Sequence, residues 1–481
     1  MEFEKQVDEV TEMTTLEASL TYGGCFSRIM KSCWPSLCFW LLTYISYPFY
    51  IEILSDLGDV NLIIGFQFGY IWLESFIKLI GRSMNGGFCV LATHAFGANE
   101  RRLMGYYLHK AFIAWICTVS VAFIASVSGT IYTLKKIHYD HSVTDNIIRY
   151  MFYSLLGIVL HGLFDLLRSF TIAQRNFWFP LLCQIIGTSL ELGLSFYFVR
   201  MFGWGLLAIG IGKAVGEGIK VLFMVVYLMG ANTFKESCFF FTKDSLRGFW
   251  SQYWNQIKIA ASIFLEWVFA QAIYVIATTI TSEDKDAFID FYRIIVFPQC
   301  LILSVGEVIG VLVGVSMGEK NDDKARLFVR AGTLLSMIGI FTVDLLLFLL
   351  RDTLPGLSGG SMSARTITRS LLLLYCICFP FDLFHKTLGF AGRAIGKEGS
   401  TLIRLIICLV IIGVPLTISL EYLYERSVYW LWAGLTISYA FAMIALGRIV
   451  GKTDFSVQVE YVTNRLLENG KEHISIELSK I

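Results

Sequence analysis

Charge is what this chain has least of. Lys, Arg, Asp and Glu make up 16% of its 481 residues, against about 25% in an ordinary soluble domain. Apolar residues supply 56% and mean hydropathy is +0.64. The deficit runs along almost the whole sequence, so it marks a chain that crosses a bilayer repeatedly rather than a soluble domain with one anchor. No basic tract is present and the net charge is +1, which excludes nucleic acid as a partner. Residues 1–20 are acidic and lack an apolar h-region, so no cleavable signal peptide is read there. HExxH and CxxC signatures are absent, and cysteines such as Cys33, Cys183 and Cys300 lie in apolar runs where a thiol packs as a small hydrophobe. The "HGLFD" stretch from His161 to Asp165 gives i, i+4 neighbours on one helix face rather than a catalytic pair. The reading is no enzyme, no metal and no cofactor.

What is present is a series of apolar runs. About 20 apolar residues cross the hydrocarbon core, which places spans near 31–54, 61–92, 106–133, 146–172, 179–200, 204–229, 254–281, 289–316, 328–350, 367–391, 400–420 and 427–450. The second is unusual: Glu74, Lys78 and Arg82 form a charged stripe that must face protein or water. Bases including Arg101, Arg175, Lys235, Lys320 and Arg393 fall in loops after even-numbered spans, which puts both termini in the cytosol. The expected layout is an arm (1–30), two lobes (31–230 and 254–450), an inter-lobe loop (231–253) and a polar, partly disordered tail (451–481).

The halves echo each other. "FDLLRSFTIAQRN" begins at Phe164 and "FDLFHKTLGFAGRAIGKEG" at Phe381, and Gly97 and Gly318 recur at an offset matching that of the aspartates within about four residues. With an even number of spans per half, such repeats enter the membrane in the same direction, and a substrate site is expected near the midplane between them.

Taken in order, the motifs resemble those of multidrug and toxic compound extrusion (MATE) transporters. "THAFGAN" is similar to the QAFGA-type end of their second helix and "VGVSMGEKN" to the VGNALGAG end of the eighth. "FLEWVFAQ" is similar to LEWWxxE in the seventh, and "IAQRNFWFP" to LxxQG…P leaving the fourth. Asp382, "GRAIGKE" and "IIGVPL" match the acid, LRGxGxQ and xxGLPL run of helices ten and eleven. Departures are specific: Cys89 stands where many members have an acid, Gln271 replaces the second glutamate of LEWWxxE, and Glu191 and Ser195 stand for the usual asparagines. Tyr50, with Glu52 close by, sits near the place of the bacterial first-helix aspartate. The resemblance implies an all-α polytopic protein of about twelve transmembrane helices in two pseudo-symmetric six-helix lobes. It also implies an antiporter working by alternating access between them.

Acids inside the membrane are the candidate site residues, because each carboxylate there costs at least about 2.5 kcal/mol unless it pairs or meets water. Glu266 leads, with no base at i±3 or i±4; the competing reading is a structural glutamate bonded to a neighbouring helix. Asp382 follows, with Lys386 at i+4 as an internal partner and Pro380 loosening its helix. In the resemblance these two match C-lobe acids implicated in proton coupling and cation binding. Gln271, Glu191, Asp165 and Glu307 complete the set, Glu191 having no local base, while Asp344 is open and Lys213 and Glu217 read as a local salt bridge. The expected exchange is an organic cation or xenobiotic against protons, ahead of sodium. The expected carrier is a monomer in the bilayer of the plasma membrane or an organelle. A lipid-linked headgroup flippase of the same superfamily, favoured by Lys213 and Lys220, is the alternative.

Overall fold

The computed structural model describes residues 21–478 apart from 71–75, 137–140, 232–233, 240, 242, 281, 358–361 and 424–427, with the side chains of 243–244, 270–280, 282–286, 288–290, 292–293, 356–357, 428 and 471–478 also outside the description. Every described membrane-length segment is helical. In hydrocarbon no water can satisfy backbone N–H and C=O groups, so apolar runs of this length close their hydrogen bonds internally.

In chain order the helices are α1 (Tyr22–Ser55), α2 (Val60–Phe68), α3 (Phe76–Gly97), α4 (Arg101–Lys136), α5 (His141–Ala173), α6 (Trp178–Phe202), α7 (Gly205–Gly230) and α8 (Phe249–Ile280). They continue with α9 (Ser282–Gly318), α10 (Asp322–Leu350), α11 (Met362–Ala394), α12 (Glu398–Leu405), α13 (Val414–Leu423), α14 (Val428–Lys452) and α15 (Phe455–Leu478). Among the described residues, nine helical segments are long and apolar enough to cross a membrane. α7 falls outside that set because Lys213, Glu217 and Lys220 interrupt its apolar run. The charged second span is carried by α2 and α3; Glu74 and Trp72 lie outside the described residues.

Two departures from simple helices have local causes. Between α12 and α13 the residues Ile406–Gly413 are π-helical, and the Val414 N–H reaches back to Leu409 O. Pro415 follows at once and has no N–H to give, so the wider register stands where an α-helical ladder would be broken anyway. The tail is not disordered over 455–478: α15 forms there, with Phe455, Gln458, Val462, Arg465, Leu466 and Asn469 buried. That spacing is an amphipathic stripe, hidden in the sequence by the polar residues between its members.

The chain divides into two compact units. One comprises Met1–Leu37, Thr93–Asn99 and Leu265–Leu467; the other comprises Cys38–Ala92, Glu100–Phe264 and Glu468–Ile481. In the first unit α11 is central, packing on α9, α10 and α14. Tyr375, Phe379, Leu372 and Tyr439 form the buried surroundings of its polar residues. The repeat landmarks meet within this unit: a Cβ on Gly97 would lie 2.1 Å from Val315 O, and one on Gly318 2.2 Å from His94 O. Only glycine permits that crossing. In the second unit α7 packs on both α5 and α6, and Trp115, Met84, Ile147 and Met151 anchor an apolar cluster.

Candidate functional site

Each unit buries its own polar cluster. In the first unit Glu266, on α8, meets Arg393, in the last turn of α11, at 2.9 Å, and neither side chain has any exposed surface. The pair fits because Gly389 stands one turn before Arg393: a Cβ there would come within 2.1 Å of Glu266 Oε1. The guanidinium also lies over the Phe390 ring, 4.7 Å from its centroid. Glu266 Oε2 and the Nε and Nη2 atoms of Arg393 have no hydrogen-bond partner among the described residues.

On the same helix Asp382 is held from two sides. Lys386 Nζ is 2.8 Å from its Oδ1 and Gln299 Nε2, on α9, donates to its Oδ2 at 2.8 Å. Gln299 ties the mesh together, donating to the Tyr375 hydroxyl at 3.1 Å and accepting from Lys386 at 3.3 Å. The Lys386 ammonium sits 3.8 Å over the Trp267 ring, a cation–π contact. His385 stacks on Tyr439 with centroids 4.4 Å apart.

This corrects the expectation of unpaired acids. Glu266 has a basic partner 127 positions away, and Arg393 is a buried residue of α11 rather than a loop charge. The four charges Glu266, Asp382, Arg393 and Lys386 sum to zero. Glu307, also on α9, is placed elsewhere and accepts from Ser36 on α1 at 2.9 Å. The side chain of Gln271 lies outside the described residues.

The second unit holds Glu191 and Asp165 in separate groups. Glu191, on α6, accepts from the Tyr50 hydroxyl and lies 3.7 Å from Lys220 Nζ on α7, so it too has a basic neighbour that local sequence did not show. Lys220 also pairs with Glu217 at 3.1 Å, and His161 Nδ1 lies 2.9 Å from the same oxygen. These groups, with Tyr70, Lys78, Gln184 and Lys213, line one polar pocket. Asp165 pairs with Arg168 at 3.0 Å and accepts from Asn85 at 3.0 Å. Arg168 in turn lies over Phe39 and Trp40.

Sequence reasoning found the acids but missed Arg393, Gln299 and the His385–Tyr439 stack. The only available signal was the "GFAG" spacing ahead of Arg393, small residues that admit a close approach by another helix.

A family model described as MatE matches residues 259–418, the stretch holding Glu266, Asp382 and Arg393. The Arabidopsis thaliana protein DETOXIFICATION 49 is 22% identical, with 93% of this chain aligned to 88% of that one. Multidrug and toxin extrusion protein 2 of Pongo abelii is 21% identical over 92% of this chain and 81% of its own. The crystal structure of the eukaryotic MATE transporter AtDTX14 superposes with a TM-score of 0.84 at 16% identity, covering 92% of this chain and 99% of that one. Over nearly its whole length the chain is similar to MATE transporters in sequence and fold. It is an integral membrane protein of the all-helical architecture of those transporters, and not an enzyme.

Proposed function

We propose that this chain is a MATE-type secondary antiporter that exports organic cations in exchange for protons, coupled through Glu266 and Asp382. The observation carrying this reading is the fully buried Glu266–Arg393 pair beside the Asp382–Lys386 pair, a neutral cluster in one unit. A proton taken up by Glu266 raises its charge by one, and an organic cation bound beside it does the same. Two added charges about 8 Å apart repel by roughly 2 kcal/mol at an effective dielectric of about 20, which disfavours double occupancy about 30-fold. Proton and substrate therefore exclude each other through charge, without both needing to touch one carboxylate. Trp267, Tyr375 and Tyr439 surround the cluster with aromatic faces that suit an organic cation. Sodium is disfavoured because each acid already has an Arg or Lys nitrogen within 3 Å.

In proteoliposomes, a pH gradient should drive efflux of ethidium, and Glu266→Gln and Asp382→Asn should each reduce the gradient-driven rate at least ~10-fold. Unchanged gradient dependence in both variants would refute the assignment. The buried Lys213 and Lys220 of the second unit favour one other reading, an anionic lipid headgroup as cargo; ethidium transport that persists without lipid exchange would separate the two.

A further inference from the structure

α11 ends in a turn that leaves one carbonyl needing outside help. The N–H of Gly396, at φ +83°, donates to Arg393 O at 3.1 Å, and that of Lys397 to Gly392 O at 2.9 Å. This is the Schellman pattern, and it does not reach the carbonyl of Ala394, the last residue of the helix. His94, in the last turn of α3, supplies the missing donor: its Nε2 is 2.7 Å from Ala394 O.

The other face of that imidazole is set by the chain-terminal helix. Arg465 on α15 reaches His94 Nδ1 with Nη2 at 2.8 Å and Glu398 Oε1 with Nη1 at 2.7 Å, and all three side chains are buried. Arginine has donors only, so Nδ1 must accept and the ring proton must sit on Nε2, facing Ala394. A protonated His94 would set two donors and two positive charges against each other. Arg465 therefore selects both the tautomer and the neutral state that the Ala394 cap needs. The buried stripe Phe455, Gln458, Val462 and Leu466 fixes α15 in place, so the fork of Arg465 is held rather than free.

We propose that Arg465 is a positioning residue for the coupling pair: through His94 it keeps the last turn of α11, and so Arg393, set against Glu266. Ala394 is the neighbour of Arg393, and Glu398, the third member of the contact, begins α12, so one side chain fixes both sides of the α11–α12 turn. The inference rests on the coupling role given to Glu266, but its structural half is measurable without transport.

The full-length protein in detergent is examined first by hydrogen exchange of residues 389–397. Arg465→Ala and His94→Ala should each speed exchange there by about tenfold, as for one lost hydrogen bond in a locally opening turn. His94→Gln should restore wild-type protection, because its amide donates to Ala394 O while its carbonyl accepts from Arg465. Arg465→Lys should not, since an ammonium cannot span both partners as a fork does. In vesicles exchanging ethidium for protons, Arg465→Ala should move the pH of half-maximal exchange by about half a unit or more, and His94→Gln should not. Unchanged protection in both alanine variants would overturn the proposal. So would a fall in rate with the pH midpoint unmoved, the mark of a merely structural contact. Glu266→Gln in the same vesicles keeps the two claims apart. If it retains wild-type pH dependence, the coupling reading falls and the transport half of this proposal with it. If it loses that dependence while Arg465→Ala keeps the midpoint, only the positioning role falls. Should Arg465→Ala not fold, His94→Ala runs the same comparison.

Discussion

Glu266 and Arg393 neutralise each other without exposed surface on either side chain, so their energetics are those of a buried pair. Removing one partner strands the other charge. Arg393→Gln should lower stability by about 3 kcal/mol, whereas the double variant with Glu266→Gln should recover most of it, as read from thermal unfolding in detergent. Equal losses in single and double variants would contradict the pairing. Gly389→Ala sets two effects against each other. Alanine favours the helix by about 1 kcal/mol, but its Cβ would stand 2.1 Å from Glu266 Oε1, and overpacking of that kind costs roughly 1–3 kcal/mol. The clash should win, giving a lower unfolding temperature and loss of proton-driven efflux. A gain in stability would show that the carboxylate moves aside freely. At this scale the sequence is half legible. An acid in an apolar run announces itself, as Glu266 and Asp382 do. Its partner does not when 127 positions intervene, and "GRAIGKE" reads as a polar turn because glycines flank the arginine.

Among elements, the apolar helices were readable because hydrocarbon leaves a 20-residue apolar run no alternative to internal hydrogen bonding. α15 was not. Its buried positions are few and include Gln458, Arg465 and Asn469, so composition over 455–478 resembles a solvated tail. Its order comes from the buried Phe455, Val462 and Leu466 together with the contacts of Arg465. The docking of α15 carries its own pH dependence. Burial, and then the Arg465 charge beside it, push the His94 imidazole down to about 3, against about 6.5 when solvated. A group whose pKa is depressed on docking takes up its proton first in the undocked state. Docking therefore weakens as pH falls from about 6.5 towards 3, by at most about tenfold per pH unit. Amide exchange across residues 455–469, corrected for intrinsic rates, should be faster at pH 5 than at pH 7, and His94→Gln should abolish the difference. Equal protection at the two pH values in the wild-type protein would contradict this account of the contact.

For the whole molecule, the order of motifs along the chain carried more than any one of them, and the likeness to MATE transporters rests on that order as much as on percentage identity. The Phe164 and Phe381 repeats pointed to equivalent aspartates, yet the structure gives them different company. Asp165 faces Arg168 and Asn85, while Asp382 faces Lys386 and Gln299. Both repeats thus keep the acid and one local base, while the surrounding polar groups differ. The Glu266–Arg393 pair adds to Asp382 in the first unit, the place of the proposed competition by charge between an added proton and an added cation. The most direct measurement is proton release on substrate binding. Ethidium is titrated into the weakly buffered, detergent-solubilised protein with a pH indicator, near the pH of half-maximal exchange. Close to half a proton should leave per ethidium bound there, rising to about 0.7 within one pH unit below it, as a roughly 30-fold exclusion allows, and none in Glu266→Gln. Saturable binding without proton release at any pH between about 5 and 8 would contradict exchange through Glu266.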